Sequence, residues 1–186
     1  MSSSQLKKSR RSMLLLIAVF ALPVILAKFA LEQQWFNYGV TNKGELLEQN
    51  LTLNALGLEK SSFSKHWLML YTLPAQCDEQ CEKVLISLNN TFVALGKDMP
   101  RVTPVALTQA ELSEQQIAKI RSAKWRIESM PSQTKSLVND TQVLIVDPLG
   151  NVILSHKTPV DTQELPQFGK NILADMKKLL KYSRIG

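Results

Sequence analysis

From Met13 to Ala27 the chain carries no charged or hydrogen-bonding side chain: MLLLIAVFALPVILA. A run of that kind must be covered by protein or placed in lipid, and its flanks decide which. Continuing past Lys28, whose stem can snorkel, to Leu31 gives nineteen residues. That is about enough to cross ~30 Å of hydrocarbon as a helix. Pro23 is acceptable there, because membrane helices tolerate proline better than soluble ones do. Trp35, Phe36 and Tyr38 follow at the depth where aromatic rings settle at a membrane surface. Lys7, Lys8, Arg10 and Arg11 precede the run, and no acidic residue appears before Glu32. This asymmetry keeps the N-terminus in the cytoplasm and sends the rest across. The apolar core would serve a cleaved signal equally well, and Ser9–Leu14 also resembles a twin-arginine export signal. No Ala-x-Ala site closes the run, which favours a retained anchor. The chain therefore divides into a basic cytoplasmic tail (1–12), a transmembrane anchor (13–31), a connector (32–64) and a folded domain (65–182). A single pass through the inner membrane would place that domain in the periplasm.

The formal charge of +6 belongs mainly to the tail. Without its four cations, 18 of the 22 Lys and Arg face 16 acidic residues, so a phosphate-binding surface and a nucleic-acid partner are not indicated. In the connector, Gln49–Asn54 alternates like a short strand that Gly57 ends. Trp67–Thr72 is a continuous apolar run, the mark of a strand covered on both faces. From Asp78 to about Leu95, apolar residues at 81, 84, 85, 88, 92 and 95 form a helical stripe. Arg101–Leu107 reads as a second strand, which Pro104 assigns to an edge or bulged position. Thr108-x-x-Glu111 has the form of a capping box, opening a helix through Ile117, Ile120 and Ala123. Ser129–Thr141 reads as a polar loop. Gln142–Asp147 is a third strand, turned by Pro148-Leu-Gly150 into a hairpin partner, Asn151–Ser155. A last helix begins near Pro166 and buries Phe168, Ile172, Met176 and Leu179. Pattern alone gives an α/β domain with a mixed sheet.

Cys77 and Cys81 stand where the first domain strand hands over to its helix, the usual place for a site in an open α/β sheet. Their spacing is not the Cys-x-x-Cys of common redox and zinc motifs, and His66 and His156 supply no second close pair for zinc. Residues four apart on a helix share a face. The pair can close a disulfide or offer two thiolates to a soft ion such as Cu(I). Cys81 falls on the buried stripe, leaving Cys77 as the exposed nucleophile. The helix N-terminus favours a thiolate, while Asp78, Glu79 and Glu82 oppose one. A purely stabilising disulfide is the plainer alternative, but a five-residue loop constrains the unfolded chain little. His66 precedes the first strand, at the end opposite the cysteines. His156 reads as a surface histidine and Met69 as core. Asn139 opens an Asn-x-Thr sequon.

Leu68–Thr72, Cys77-Asp-Glu-Gln-Cys81 and Leu144-Ile-Val-Asp-Pro-Leu-Gly-Asn-Val152 resemble the Sco (SenC-type) family of membrane-anchored cytochrome c oxidase assembly factors. The resemblance covers roughly residues 46–182 and includes the anchor and the last helix. It implies a thioredoxin-like domain after the transmembrane helix, with helices flanking a mixed sheet. It also implies two cysteines and a histidine that bind copper, and disulfide exchange with the oxidase's copper-site subunit. Asp140 holds the histidine position here, so the implied ligand set is Cys77, Cys81 and Asp140, with a hard carboxylate in place of imidazole. Glu82 stands where the family has proline. Asp140-Thr141 occupies the place of the cis-proline of thioredoxin-type oxidoreductases. The resemblance points to a membrane partner, a respiratory oxidase subunit or another assembly factor, served by thiol–disulfide exchange or transient copper handling. A non-catalytic scaffold with merely oxidised cysteines, and a general periplasmic thiol oxidoreductase, are the competing readings.

The charge pattern generates a direct test of topology. A reporter enzyme that works only in the cytoplasm, fused after Gly186, should be silent, and strong activity would reverse the assigned orientation.

Overall fold

Every residue of strand β2 (Trp67–Thr72) is buried, and the sheet extends outward from it on both sides. The structure, a computed structural model, describes residues 3–32, 42–47, 51–63, 65–138 and 140–185. It separates into two units, 1–41 and 42–186. In the second, β2 pairs in parallel with β3 (Val102–Thr108) and antiparallel with β5 (Gln142–Val146). Strand β4 (Arg126–Ser129) continues the parallel side. Strands β6 (Val152–Lys157) and β1 (Glu45–Leu46) continue the antiparallel side, giving the order β1-β6-β5-β2-β3-β4.

Alternation along the strands sends side chains into two cores. Trp67, Met69 and Tyr71 join Val143 and Ile145 against α2 (Glu79–Val93) and α5 (Leu165–Tyr182), which contribute Val84, Leu88, Phe92, Phe168, Ile172 and Met176. Leu68 and Leu70 join Val105, Leu107 and Leu144 in a second core, closed by Leu53, Leu56, Leu58 and Phe63. Each such side chain contributes about 1.5–3 kcal/mol on full burial. The stretch 51–63, polar at first sight, thus supplies the cover for one face of the sheet. Gln49 and Asn50 of the expected strand lie outside the described residues. Thr52 makes only an isolated bridge to Asn151, and a turn follows.

Other elements shift for local reasons. Pro104 is on neither an edge strand nor a bulge, since β3 lies between β2 and β4. The carbonyl of Leu107 faces Leu73, next to β2, and that of Thr108 faces Met130, next to β4. By alternation, the nitrogen of Pro104 points to the β4 side, where pairing begins only at Val105–Arg126. Its missing N–H costs no ladder bond. The expected box at Thr108 is also displaced, because Thr108 is still strand. Ser113 and Gln116 form the reciprocal cap of α3 (Glu114–Ser122) instead. The expected loop 129–141 contains the end of β4 and the short helix α4 (Ser132–Leu137). An edge strand of four partly exposed residues and a six-residue helix carry no legible periodicity. The hairpin turn is formed with Gly150 at φ +89°. In α5, Leu180 is buried and Leu179 only half-buried.

The first unit is α1 (Ser3–Glu32), with Pro23 inside it. Arg10–Phe29 is long and apolar enough to cross a membrane, with a mean hydropathy of 2.4 and no part of it covered by protein. Trp35, Phe36 and Tyr38 lie outside the described residues.

His156 is not at the surface. It is 5% exposed, because β6 is covered by α5 and by the residues leading into β1. Its Nε2 lies 3.2 Å from Asp175 Oδ2, in ion-pair range but not aligned as a hydrogen bond. The Asp175 carboxylate accepts the backbone N–H of Lys43 (3.0 and 2.9 Å to its two oxygens) and of Gly44 (2.8 Å). A Cβ on Gly44 would sit 2.6 Å from His156 Nε2 and 2.7 Å from the Ser155 carbonyl, so the contact requires glycine.

Burial pushes the pKa of His156 below its ordinary 6.5, outweighing the pull of Asp175. As pH falls, the unfolded chain therefore binds a proton first. Stability should decline from about pH 6.5 downward and level off once the folded imidazole is protonated. Urea unfolding of the full chain in detergent between pH 7 and 5 should show this slope, and His156→Gln should flatten it.

Candidate functional site

The cysteines occupy the carboxyl end of β2. There the strand stops at Leu73, whose N–H still bonds Leu107, and Pro74 turns the chain out of the sheet. Asp78 is the N-cap of α2, and its carboxylate accepts the N–H of Cys81 at 3.0 Å. This cap brings Cys77, in the preceding turn, over Cys81 in the first turn. The two form a disulfide with a Cα–Cα distance of 5.1 Å. Cys81 is 2% exposed and packs in the core under α2, whereas Cys77 is only half-buried. Of the two cysteines, Cys77 is the one that solvent reaches.

The acidic residues of the motif are less opposed to a thiolate than their count implies. Glu79 pairs with Lys83 at 2.7 Å and Glu82 with Lys119 at 2.9 Å. The hydrogen bond and charge of Lys119 hold the Glu82 carboxyl below the usual carboxylate range. Tyr71, buried in the core that receives Cys81, has its phenol pushed well above its ordinary pKa by burial and then by the Asp78 charge, so it stays neutral.

Three glutamines unremarked in the sequence fix the motif in place. Gln80, inside it, donates to the carbonyls of Pro159 and Val160 at 3.0 and 2.6 Å. Gln116 donates to the Cys77 carbonyl at 2.9 Å, and Gln109 to that of Leu73 at 3.0 Å. The Ser113-x-x-Gln116 spacing was a visible signal for the second; amide reach across loops has no sequence signature.

The structure holds the backbone of Asp140 beside the end of β2, since Thr72 Oγ1 donates to its carbonyl at 3.2 Å and accepts the N–H of Gln142 at 2.9 Å. Its side chain is 65% exposed and lies 3.7 Å from Lys157 Nζ. Among the described residues no peptide bond is cis. His66 is exposed at the far end of β2, its Nδ1 3.0 Å from Thr103 Oγ1. His156 is sealed beside Asp175, and Met69 is fully buried. Asn139 lies outside the described residues.

These donors do not form the three-ligand copper site that the resemblance implies. The two sulfurs are bonded to each other, and reduction would free them without adding a third ligand. The Asp140 carboxylate is hard and paired with a lysine. Among the described residues no three His, Cys, Asp or Glu gather to hold a metal.

Comparison with known proteins agrees with this architecture. A family model described as "Transmembrane-like, thioredoxin-like, C-terminal domain" matches residues 67–183. No curated protein matches the chain as a relative. Among solved structures, the apo Sco1 protein of Thermus thermophilus aligns at 14% identity and TM-score 0.54, over 77% of this chain and 99% of that one. Peroxiredoxin Q of Xanthomonas campestris aligns at 12% and 0.54, over 73% and 99%. Arabidopsis thaliana ScoI with copper bound aligns at 13% and 0.47, over 64% and 89%. At these identities the likeness is one of fold.

The cap at Asp78 has a measurable consequence. Asp78→Ala should lower domain stability by about 1 kcal/mol, and Asp78→Ser, which can still accept the Cys81 N–H, should restore most of it in urea titrations of the oxidised chain.

Proposed function

The chain belongs to the transmembrane-like, thioredoxin-like C-terminal domain family, and we propose that it is a membrane-tethered thiol–disulfide exchange protein working through Cys77 and Cys81. The observation that carries this reading is the disulfide itself, placed at the open end of the central strand with one sulfur accessible and the other buried. A partner thiolate attacks Cys77 sulfur, the Cys77–Cys81 bond breaks, and Cys81 leaves as a thiolate that takes a proton from water. A second thiol of the partner then attacks the mixed disulfide, leaving Cys77 and Cys81 reduced and the partner oxidised. The reverse sequence reduces a partner disulfide.

The partner is a membrane-bound or membrane-adjacent protein, because the candidate membrane helix confines the domain to the bilayer surface. The basic tail puts that surface on the periplasmic side of the inner membrane. A respiratory oxidase under assembly is the partner that the Sco-like motifs favour, and the exchange chemistry needs no metal for it. A purely structural disulfide is disfavoured: a five-residue loop adds little stability, and three glutamine amides position its surroundings.

Cys77→Ser and Cys81→Ser should each abolish the function, since a lone thiol cannot complete the exchange. The measurement is oxidase activity in membranes from a strain carrying each variant, with protein abundance followed in parallel. Full activity of the double serine variant at normal abundance would leave a scaffold role in place of exchange.

A further inference from the structure

Beside Cys77 a cleft of about 300 Å³ runs between the 73–77 turn and the loop 108–113 that joins β3 to α3. Two of the glutamine bonds described above, from Gln109 to the Leu73 carbonyl and from Gln116 to the Cys77 carbonyl, tie its walls together. Both walls present main chain with unmet bonding capacity. Among the described residues, the backbone N–H and C=O groups of Ala75, Gln76, Ala110, Glu111 and Leu112 make no hydrogen bond within the protein. All but Leu112 are exposed.

The other flank of the disulfide is different. There the Asp140 carbonyl already accepts from Thr72 Oγ1, and the Thr141 carbonyl accepts both the N–H and the hydroxyl of Thr158 at 3.1 and 2.9 Å. Both of these carbonyls are thus taken within the domain, and only N–H groups of Asp140 and Thr141 stay open there. The cleft on the β3–α3 side lies beside Cys77 and, among the described residues, leaves both the N–H and the C=O groups of five residues open.

We propose that this cleft binds the extended, cysteine-bearing segment of the redox partner, by main-chain pairing with residues 75–76 and 110–112. Free donors and acceptors on facing walls suit an extended polypeptide, which satisfies them as an added strand does. Glu111 lines the cleft, Asp78 is exposed next to Cys77, and no lysine or arginine lines it. The segment it accepts therefore carries basic residues beside its cysteine. This rests on the exchange function proposed above and adds to it a docking side and a charge preference.

The test uses the full chain in detergent as Cys81→Ser, so that Cys77 alone captures a probe. The probes are the acetylated peptide Lys-Ala-Cys-Ala-Lys, its Glu-Ala-Cys-Ala-Glu counterpart, and 2-mercaptoethanol. Each has its sulfur held as a mixed disulfide with thionitrobenzoate. Cys77 thiolate attacks the probe sulfur, the bond to thionitrobenzoate breaks, and the released anion is read by its colour. The basic peptide should react roughly tenfold faster than the mercaptoethanol probe, the worth of one or two net hydrogen bonds. N-methylation of the peptide bonds flanking its cysteine should remove that advantage. Ala110→Trp, a substitution at an exposed position that fills the cleft, should bring the ratio close to one. Glu111→Lys should reverse the preference between basic and acidic peptides, by about fivefold at low salt. Equal ratios in all three chains, or indifference to N-methylation, overturn the cleft assignment. Failure of Cys77 to attack even the mercaptoethanol probe overturns the exchange reading itself.

Discussion

Burial of β2 on both faces is the constraint from which the rest of the domain follows. A strand of six residues without an exposed side chain needs helices on one side and a further layer on the other. The first demand is met by α2 and α5, the second by residues 53–63 with Met130 and Val138. Once the strand is fixed between β3 and β5, its carboxyl end can only emerge at the rim of the sheet. Pro74 and the Asp78 cap then convert that exit into a helix start within a few residues. The cysteine pair is a by-product of this geometry in the sense that any two residues at 77 and 81 would be brought together there. Sulfur at both makes the position chemical.

Elements with strong periodicity were legible from sequence: β2, α2, the β5–β6 hairpin and α5 all stand where hydrophobic spacing put them. The elements that escaped are those whose stabilisation comes from elsewhere. Strand β4 is held by pairing with β3 rather than by an apolar face, and α4 spans under two turns with only Thr134 buried. Pro104 misled because proline argues against an inner strand only where a neighbour waits for its N–H. His156 misled because a histidine at a strand end is exposed unless something crosses it, and the crossing segment comes from more than 110 residues earlier in the chain. Spacing brought the two cysteines together but left a disulfide and a shared soft ion equally open. The glutamines around them were not legible, since each acts on a carbonyl whose position only the fold defines.

The distribution of charge separates two tasks along one chain. Four cations stand before the apolar run of α1, while the domain is nearly balanced. Around the disulfide, Glu79 and Glu82 are neutralised by lysines of α2 and α3, whereas Asp78 and Glu111 have no basic partner among the described residues. The result is a locally acidic approach to an otherwise neutral body. It biases which polypeptides come near Cys77 without perturbing the stability of the sheet.

The grip of Asp175 on Lys43 and Gly44 has a consequence for where the domain begins. These bonds tie the first residues of the second unit to its last helix, 131 and 132 positions away in sequence. Without that grip, the pairing of Glu45 and Leu46 with β6 would be the first hold on the chain. A buried carboxylate in the last helix thus fixes the point from which the domain's chain sets out.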